Sequence, residues 1–289
     1  MNSAELNRWC GLSETVIFPP AYRRRPLIMG ILNVTPDSFS DGGRFLDRDK
    51  ALQHADDMVA QGADLLDIGG ESSRPGAMPV SIDEELTRVI PVIEGLRARS
   101  DIALSIDTCK PEVMRAAVEA GASLINDIQA LQVPGALAEV ARLNVPVCLM
   151  HMQGRPEFMQ VSPSYETGVI SAIQAFFSER ILACVSAGIP RQHLILDPGF
   201  GFGKTNEQNL FLTKHLLAFQ SHGLPLLFGV SRKNTIGSVF NHDSAARLAG
   251  GLGLAVFAAL QGVSMIRTHD VDVTQNALRM LDAVVNAEH

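Results

Sequence analysis

Eight short runs rich in valine, isoleucine and leucine punctuate this sequence, at 27–33, 64–69, 102–107, 123–127, 145–151, 193–197, 225–231 and 264–269, and a longer amphipathic stretch follows each. A strand that is apolar along its whole length needs cover on both faces, which a parallel sheet wrapped by helices provides. Eight successive βα units predict an α/β fold that closes into a (β/α)8 TIM barrel rather than an open sheet. A chain of 289 residues, 46% hydrophobic, can bury one large core and use its length as a single domain. The expected division is an N-terminal extension over 1–25, packed on the barrel or loosely held, and a barrel domain over 26–289 without linker or low-complexity segment.

Helix boundaries agree with this reading. Ser81 followed by Glu84 has the form of a capping box and opens an apolar series at Leu86, Val89, Ile90 and Ile93. Gly62, Gly121 and Gly262 each close a helical stretch just before a strand. The fifth residue after each of these glycines is polar: Asp67, Asn126 and Arg267. This weak internal echo of one βα unit supports barrel topology.

Composition excludes several functions. A net charge of -7 is unsuited to a general nucleic-acid surface. Cys10, Cys109, Cys148 and Cys184 lie far apart with no C-x-x-C pair, so neither a zinc knuckle nor a redox dithiol is encoded. No run reaches the roughly 18 uninterrupted apolar residues of a spanning helix, and the start lacks a basic stretch followed by an apolar run. A soluble, cytoplasmic protein without membrane or nucleic-acid partners is therefore expected. Lysine is scarce, confined to positions 50, 110, 204, 214 and 233, so any anionic ligand depends on a few placed cations. Arg23, Arg24 and Arg25 read as a solvated edge.

Active sites of such barrels lie at the C-terminal ends of the strands. Those ends carry Asn33; Glu71, Ser73 and Arg74; Asp107; Asn126 and Asp127; His151; Asp197; Ser231, Arg232 and Lys233; and Arg267, Thr268, His269 and Asp270. One polar residue at a strand end often only caps the next helix. Eight polar ends together point to a site. Aspartate and asparagine gather on strands three, four and six and cations on seven and eight, a segregation suited to a neutral heterocycle beside an anionic leaving group. Asp107 or Asp197 can read an N–H with an exocyclic NH2, and Asn126 can serve a donor and an acceptor. Arg267 and His269, two residues apart, share a strand face from which they can clasp a diphosphate. Asn33 offers a neutral oxygen to a magnesium ion bound chiefly through substrate phosphates.

The string GFGFGKT at 199–205 lacks the glycine spacing of both the P-loop and the dinucleotide fingerprint. It reads instead as a flexible loop after strand six, with Phe200 and Phe202 available to stack on a flat ring and core packing of one of them as the alternative. His151 is read as orienting a neighbour or taking part directly.

These residues fall in blocks that resemble the dihydropteroate synthase family of pterin-binding barrels: MGILNVTPDSFSDGG at 29–43, DIGGESSRPGA at 67–77, SIDT at 105–108, IND at 125–127, LMHMQG at 149–154, LDPGFGFGK at 196–204, SRK at 231–233 and IRTHD at 266–270. The likeness spans nearly the whole chain from about residue 28, in family order. It implies condensation of (7,8-dihydropterin-6-yl)methyl diphosphate with 4-aminobenzoate in folate synthesis, with Mg2+ as cofactor. It further implies that Asp107, Asn126, Asp197 and Lys233 hold the pterin, and that Asn33, Arg267 and His269 serve the diphosphate, Asn33 also binding the metal. Asp37, Phe39 and Asp41 on the first loop, and Ser73, Arg74 and Pro75 on the second, would close over the site and help shape an aminobenzoate pocket walled by Phe202 and Lys233. Asp107, Lys233, Arg267 and His269 are the implied catalytic set. Sulfonamide inhibition and a homodimer built from the late helices are implied as well. Ser73 stands where relatives often carry threonine and keeps the hydroxyl. Asn234 stands where some carry serine near the aminobenzoate carboxylate, and the helix N-terminus there can still attract an anion. Two alternatives stay open: a methyltetrahydrofolate-dependent methyltransferase, which needs no diphosphate clasp, and a non-catalytic pterin-binding relative.

Overall fold

The computed structural model describes residues 1–11, 25–35, 44–72, 76–154, 159, 163–240 and 243–288. Its strands are β1 (Leu27–Asn33), β2 (Leu65–Gly69), β3 (Ala103–Asp107), β4 (Leu124–Asp127), β5 (Val147–Met150), β6 (Leu194–Asp197), β7 (Leu227–Gly229) and β8 (Met265–Thr268). They form one eight-stranded sheet in the order β6-β5-β4-β3-β2-β1-β8-β7, every described pairing parallel. A parallel bridge between Leu196 and Leu226 joins the two ends and closes the barrel. The helices are α1 (Ser3–Gly11), α2 (Arg44–Ala60), α3 (Ile82–Arg97), α4 (Pro111–Glu119), α5 (Ala136–Leu143), α6 (Val169–Ser186), α7 (Asn206–Lys214), α8 (Asn234–Val239), α9 (Ser244–Leu260) and α10 (Val271–Val285). The (β/α)8 barrel expected from the sequence is the fold observed. Strands five and seven begin later than the sequence suggests, because Pro146 and Pro225 cannot donate to a ladder.

Period-two alternation sorts the strand residues. One parity, including Ile28, Leu66, Leu104, Ile125, Leu149, Leu196, Phe228 and Ile266, packs outward beneath the helices in the large core. The other parity faces the barrel axis and is layered. Its lowest layer is apolar: Leu27, Met29, Leu65, Ala103, Leu124, Cys148, Ile195, Leu227 and Met265 form one cluster with Leu6, Trp9 and Cys10 of α1. Helix α1 thus plugs the N-terminal mouth, with Leu6 and Cys10 fully buried. Two residues further along the strands, the same parity becomes polar at Asp67, Ser105, Asn126 and Arg267. The axis is sealed with hydrocarbon below and opens onto hydrogen-bonding groups above.

Local details follow the sequence with one change. Ser81 caps α3 by accepting from the Glu84 amide at 3.2 Å, but the Glu84 side chain pairs with Arg88 instead of reaching back. Gly62, Gly121 and Gly262 have positive φ, as helix-terminating glycines should. Among the described residues, α6 alone is long and apolar enough to cross a membrane. It packs Val169, Ile173, Phe177 and Cys184 on the barrel wall, and its Arg180 donates to the carbonyls of Ala130 and Leu131.

Candidate active site

The polar interior layer is organised by Asp67, which is fully buried at the centre of β2. Its Oδ2 accepts from Asn126 Nδ2 at 3.0 Å and from Arg267 Nε at 2.6 Å. Arg267 spans the barrel, donating a second bond from Nη2 to Asp107 Oδ2 at 2.7 Å. The three residues of the glycine-plus-five echo therefore meet at one point. Burial opposes the charge on Arg267, but Asp67 and Asp107 more than offset it and hold the guanidinium above its ordinary pKa. Asp107 itself is pushed up to about 7: burial dominates, Arg267 works against it, and Asp67 adds like-charge repulsion.

At the mouth, Asp197 ends β6 and accepts from the Gly199 amide at 2.7 Å. Burial raises its pKa to about 6, against the pull of that amide and of Lys233. Lys233 stands at the N-cap position of α8, and its Nζ sits 4.0 Å over the Phe202 ring, a cation–π contact. Burial, with help from Arg267, lowers its pKa to about 8. Phe202 packs with Met150 and Met159 at the site, whereas Phe200 is 1% exposed and meets Phe228 edge-on in the core. The two phenylalanines divide the roles that the sequence left open.

The glycine-rich loop is tied down rather than flexible. Lys204 is buried beneath it and donates to the carbonyls of Gly199 at 2.8 Å and Phe202 at 2.9 Å, with His151 Nδ1 at 3.1 Å. Burial, then the Lys204 charge, pushes His151 down to about 3, so a neutral ring can accept from the lysine. Burial likewise pulls Lys204 to about 7, with Asp197 opposing and Lys233 adding to the fall. Asn209 of α7 completes the brace by accepting from the Gly201 amide at 2.7 Å. His151 supports the loop instead of facing the barrel chemistry directly.

Just after β8, His269 bonds through Nδ1 to Ser231 Oγ at 3.1 Å, and the same hydroxyl lies 3.3 Å from Asp270 Oδ2. Burial, then Arg267 and Arg232, depresses His269 to about 3. It is neutral near pH 7 and offers a hydrogen bond rather than a charge. Arg232, at positive φ, is engaged by Asp270 at 2.6 Å. Asp127 is occupied too, accepting from the Gln129 and Leu131 amides at 2.7 and 2.8 Å as a turn cap.

The structure thus gathers Asp107, Asn126, Asp197, Phe202, Lys233 and Arg267 around the upper axis, with His269 beside them just after β8. Asp37, Phe39, Asp41, Ser73, Arg74 and Pro75 lie outside the described residues. Among the described residues no cluster of three His, Cys, Asp or Glu can hold a metal. The neutral amide oxygen of Asn33, at the end of β1, fits only an ion that takes most of its ligands from substrate and water, as magnesium does. The residue sequence reasoning missed is Asp67. It lies mid-strand, and only the echo and the inward parity marked it.

The sequence profile described as pterin binding enzyme matches residues 29–269. Dihydropteroate synthase of Escherichia coli strain K12 is 49% identical over 263 residues, covering 91% of this chain and 93% of that protein. A solved Yersinia pestis dihydropteroate synthase in complex with a sulfonamide drug superposes with a TM-score of 0.86 at 52% identity, over 91% of this chain and 95% of the other. The Xanthomonas albilineans enzyme in complex with 7,8-dihydropteroate gives 0.83 at 47% identity, over 91% and 95%. With its polar axis, its mouth carboxylates and this degree of likeness over nine-tenths of its length, the chain belongs to the pterin-binding enzymes and, within them, to the dihydropteroate synthase family.

Proposed function

We propose that this protein joins (7,8-dihydropterin-6-yl)methyl diphosphate to 4-aminobenzoate, giving 7,8-dihydropteroate and diphosphate in folate biosynthesis. The observation that carries the reading is the convergence of Asp107, Asn126, Asp197 and Lys233 over a sealed apolar floor, in a chain 49% identical to a synthase. The carboxylates accept from the ring N–H and amino donors, and Lys233 lies beside a ring wall that Phe202 provides. The arylamine nitrogen attacks the methylene carbon, a C–N bond forms, and the C–O bond breaks with its electron pair leaving on diphosphate. The amine proton is then lost to solvent. Asp107 favours the positive charge that builds on the pterin methylene, while Arg267 and a hydrogen bond from His269 meet the negative charge on the departing oxygen. Asn33, together with the substrate phosphates, would hold a magnesium ion, which would supply neutralisation of the diphosphate charge. Nothing in methyltransferase chemistry needs that cationic end of the site.

Purified protein with magnesium should release one diphosphate per dihydropteroate, only when 4-aminobenzoate is present, and Lys233→Ala should lose this activity. Tight pterin binding without product under any condition would move the assignment to a non-catalytic pterin-binding protein.

The raised pKa values predict a pH dependence. Asp107 and Asp197 lose their charge as pH falls through about 7 and about 6, so a ligand that needs both ionised must expel protons to bind there. Affinity for 6-hydroxymethylpterin should weaken about tenfold per pH unit between pH 7 and 6, where Asp107 titrates, and about a hundredfold per unit below pH 6, where both carboxylates are protonated, and calorimetry in two buffers at pH 6 should report proton release. Equal affinity at pH 5.5 and 8 would reject this role for the carboxylates.

A cytoplasmic homodimer accompanies the reading. Its support is the apolar surface of the late helices, where Val239, Phe257, Leu260, Met280 and Val284 are exposed. Phe257→Glu with Met280→Asp should halve the mass seen by light scattering; an unchanged mass places the interface elsewhere.

A further inference from the structure

The proposed reaction makes no direct use of Asp67, yet this carboxylate lies at the junction of two groups that do act on the ligands. It is fully buried, and one of its oxygens takes two donors, the Asn126 amide at 3.0 Å and Arg267 Nε at 2.6 Å. Its other oxygen is buried with no hydrogen-bond partner among the described residues. A buried, half-satisfied anion is a liability for stability alone, since apolar packing of the same volume would avoid its desolvation.

We propose that Asp67 is a positioning residue of the reaction: by accepting from both partners at one oxygen, it fixes which amide atom Asn126 presents to the pterin and where the Arg267 guanidinium stands. The chemistry of the pair makes this specific. An asparagine amide can turn either end outward, but an ionised carboxylate only accepts, so the Asn126 nitrogen must face Asp67. The Asn126 carbonyl oxygen is then left for the ligand, and the site presents acceptors from Asn126, Asp107 and Asp197 together. That set selects a heterocycle edge made of donors, such as ring N–H beside an amino group. The same carboxylate pins Nε, so that Arg267 directs Nη2 across the barrel to Asp107. One mid-strand residue thereby couples the ring-reading and charge-meeting halves of the site.

This inference rests on the function proposed above, and a double-mutant cycle separates the two. Asp67→Asn keeps the shape and removes the charge that enforces both orientations. Arg267→Lys keeps the cation and removes Nε–H. Asp67→Asn should lower kcat/KM for the pterin diphosphate by about 30-fold, the scale of a charge-assisted hydrogen bond, while moving the KM for 4-aminobenzoate less than about threefold. On the Arg267→Lys background the same change should cost less than about fivefold, because coupled residues are not additive. Equal losses on both backgrounds, or parallel changes in both KM values, would show a general structural role and overturn the proposal. If the wild type releases no diphosphate, the reaction assignment fails alone, and the cycle is read in affinity for 6-hydroxymethylpterin. A further measurement needs no change at position 67. The Arg267 Nε–H resonance, identified by its loss in Arg267→Lys, should stay protected from solvent exchange when 6-hydroxymethylpterin binds; exposure on binding would mean that the ligand breaks the clamp, and the proposal falls.

Discussion

Arg267→Met is expected to lower kcat/KM by about a hundred- to a thousandfold, the range seen when a preorganised charge-stabilising group is lost, and to cost about 3–5 kcal/mol of folding stability. Both effects have one origin. The guanidinium is 2.6 Å from Asp67 and 2.7 Å from Asp107, and its side chain is only 18% exposed. Methionine fills much of the volume, so the loss is of charge and donors more than of packing. Two carboxylates on the neighbouring strands β2 and β3 then lose the cation they share. The stability penalty must depend on pH in a defined direction. Asp107 is already raised to about 7 by burial, with Arg267 the main force holding it down, so the substitution raises it further. A carboxyl whose folded pKa is raised contributes favourably at low pH and loses that contribution as pH rises through the folded value. The difference in unfolding free energy between variant and wild type should therefore be large at pH 8 and shrink at pH 5. Urea titrations at the two pH values test this, and a constant difference would show that Arg267 stabilises through packing alone.

The same ion network shows what the sequence could and could not disclose. The barrel was legible because its determinants are local: apolar strand runs, helix amphipathicity and the terminating glycines each lie within one βα unit. The mouth residues were legible because strand ends can be counted, which marked Asp107, Asn126, Asp197, Lys233 and Arg267. Asp67 was passed over because a list of strand ends stops at the ends. The period-two alternation that turns Leu65 and Asp67 to the axis was available in the sequence and would have found it. Other features depend on partners far along the chain. The neutral state of His269 follows from burial beside Arg267 and Arg232, and the placing of Arg267 against Asp67 and Asp107 from contacts 200 and 160 residues away. The rigid state of the glycine-rich loop follows from Lys204 and the backbone after β5, so glycine spacing alone suggested a flexibility that the fold removes.

That loop gives the second large expected effect. Gly199 has φ of +70°, and a Cβ there would stand 1.9 Å from the His151 carbonyl oxygen, a backbone atom that cannot swing away. Gly223 provides the control, with φ of +61° and nothing within 4 Å of its Cβ position. Gly223→Ala should cost only the left-handed conformation, about 1–2 kcal/mol. Gly199→Ala carries the same backbone cost and must also force β5 and the loop apart. We expect it to exceed the control by at least about 3 kcal/mol, of the order of the largest single-residue effects. The displacement should reach catalysis, because the Gly199 carbonyl holds Lys204, Lys204 holds the Phe202 carbonyl, and the Phe202 ring supports Lys233. Stability measured by urea and turnover measured by diphosphate release should thus fall together in Gly199→Ala, with turnover near wild type in Gly223→Ala. Equal destabilisation in the two variants would mean that the close approach to His151 does not constrain the loop, and the brace would then have to rest on Lys204 and Asn209.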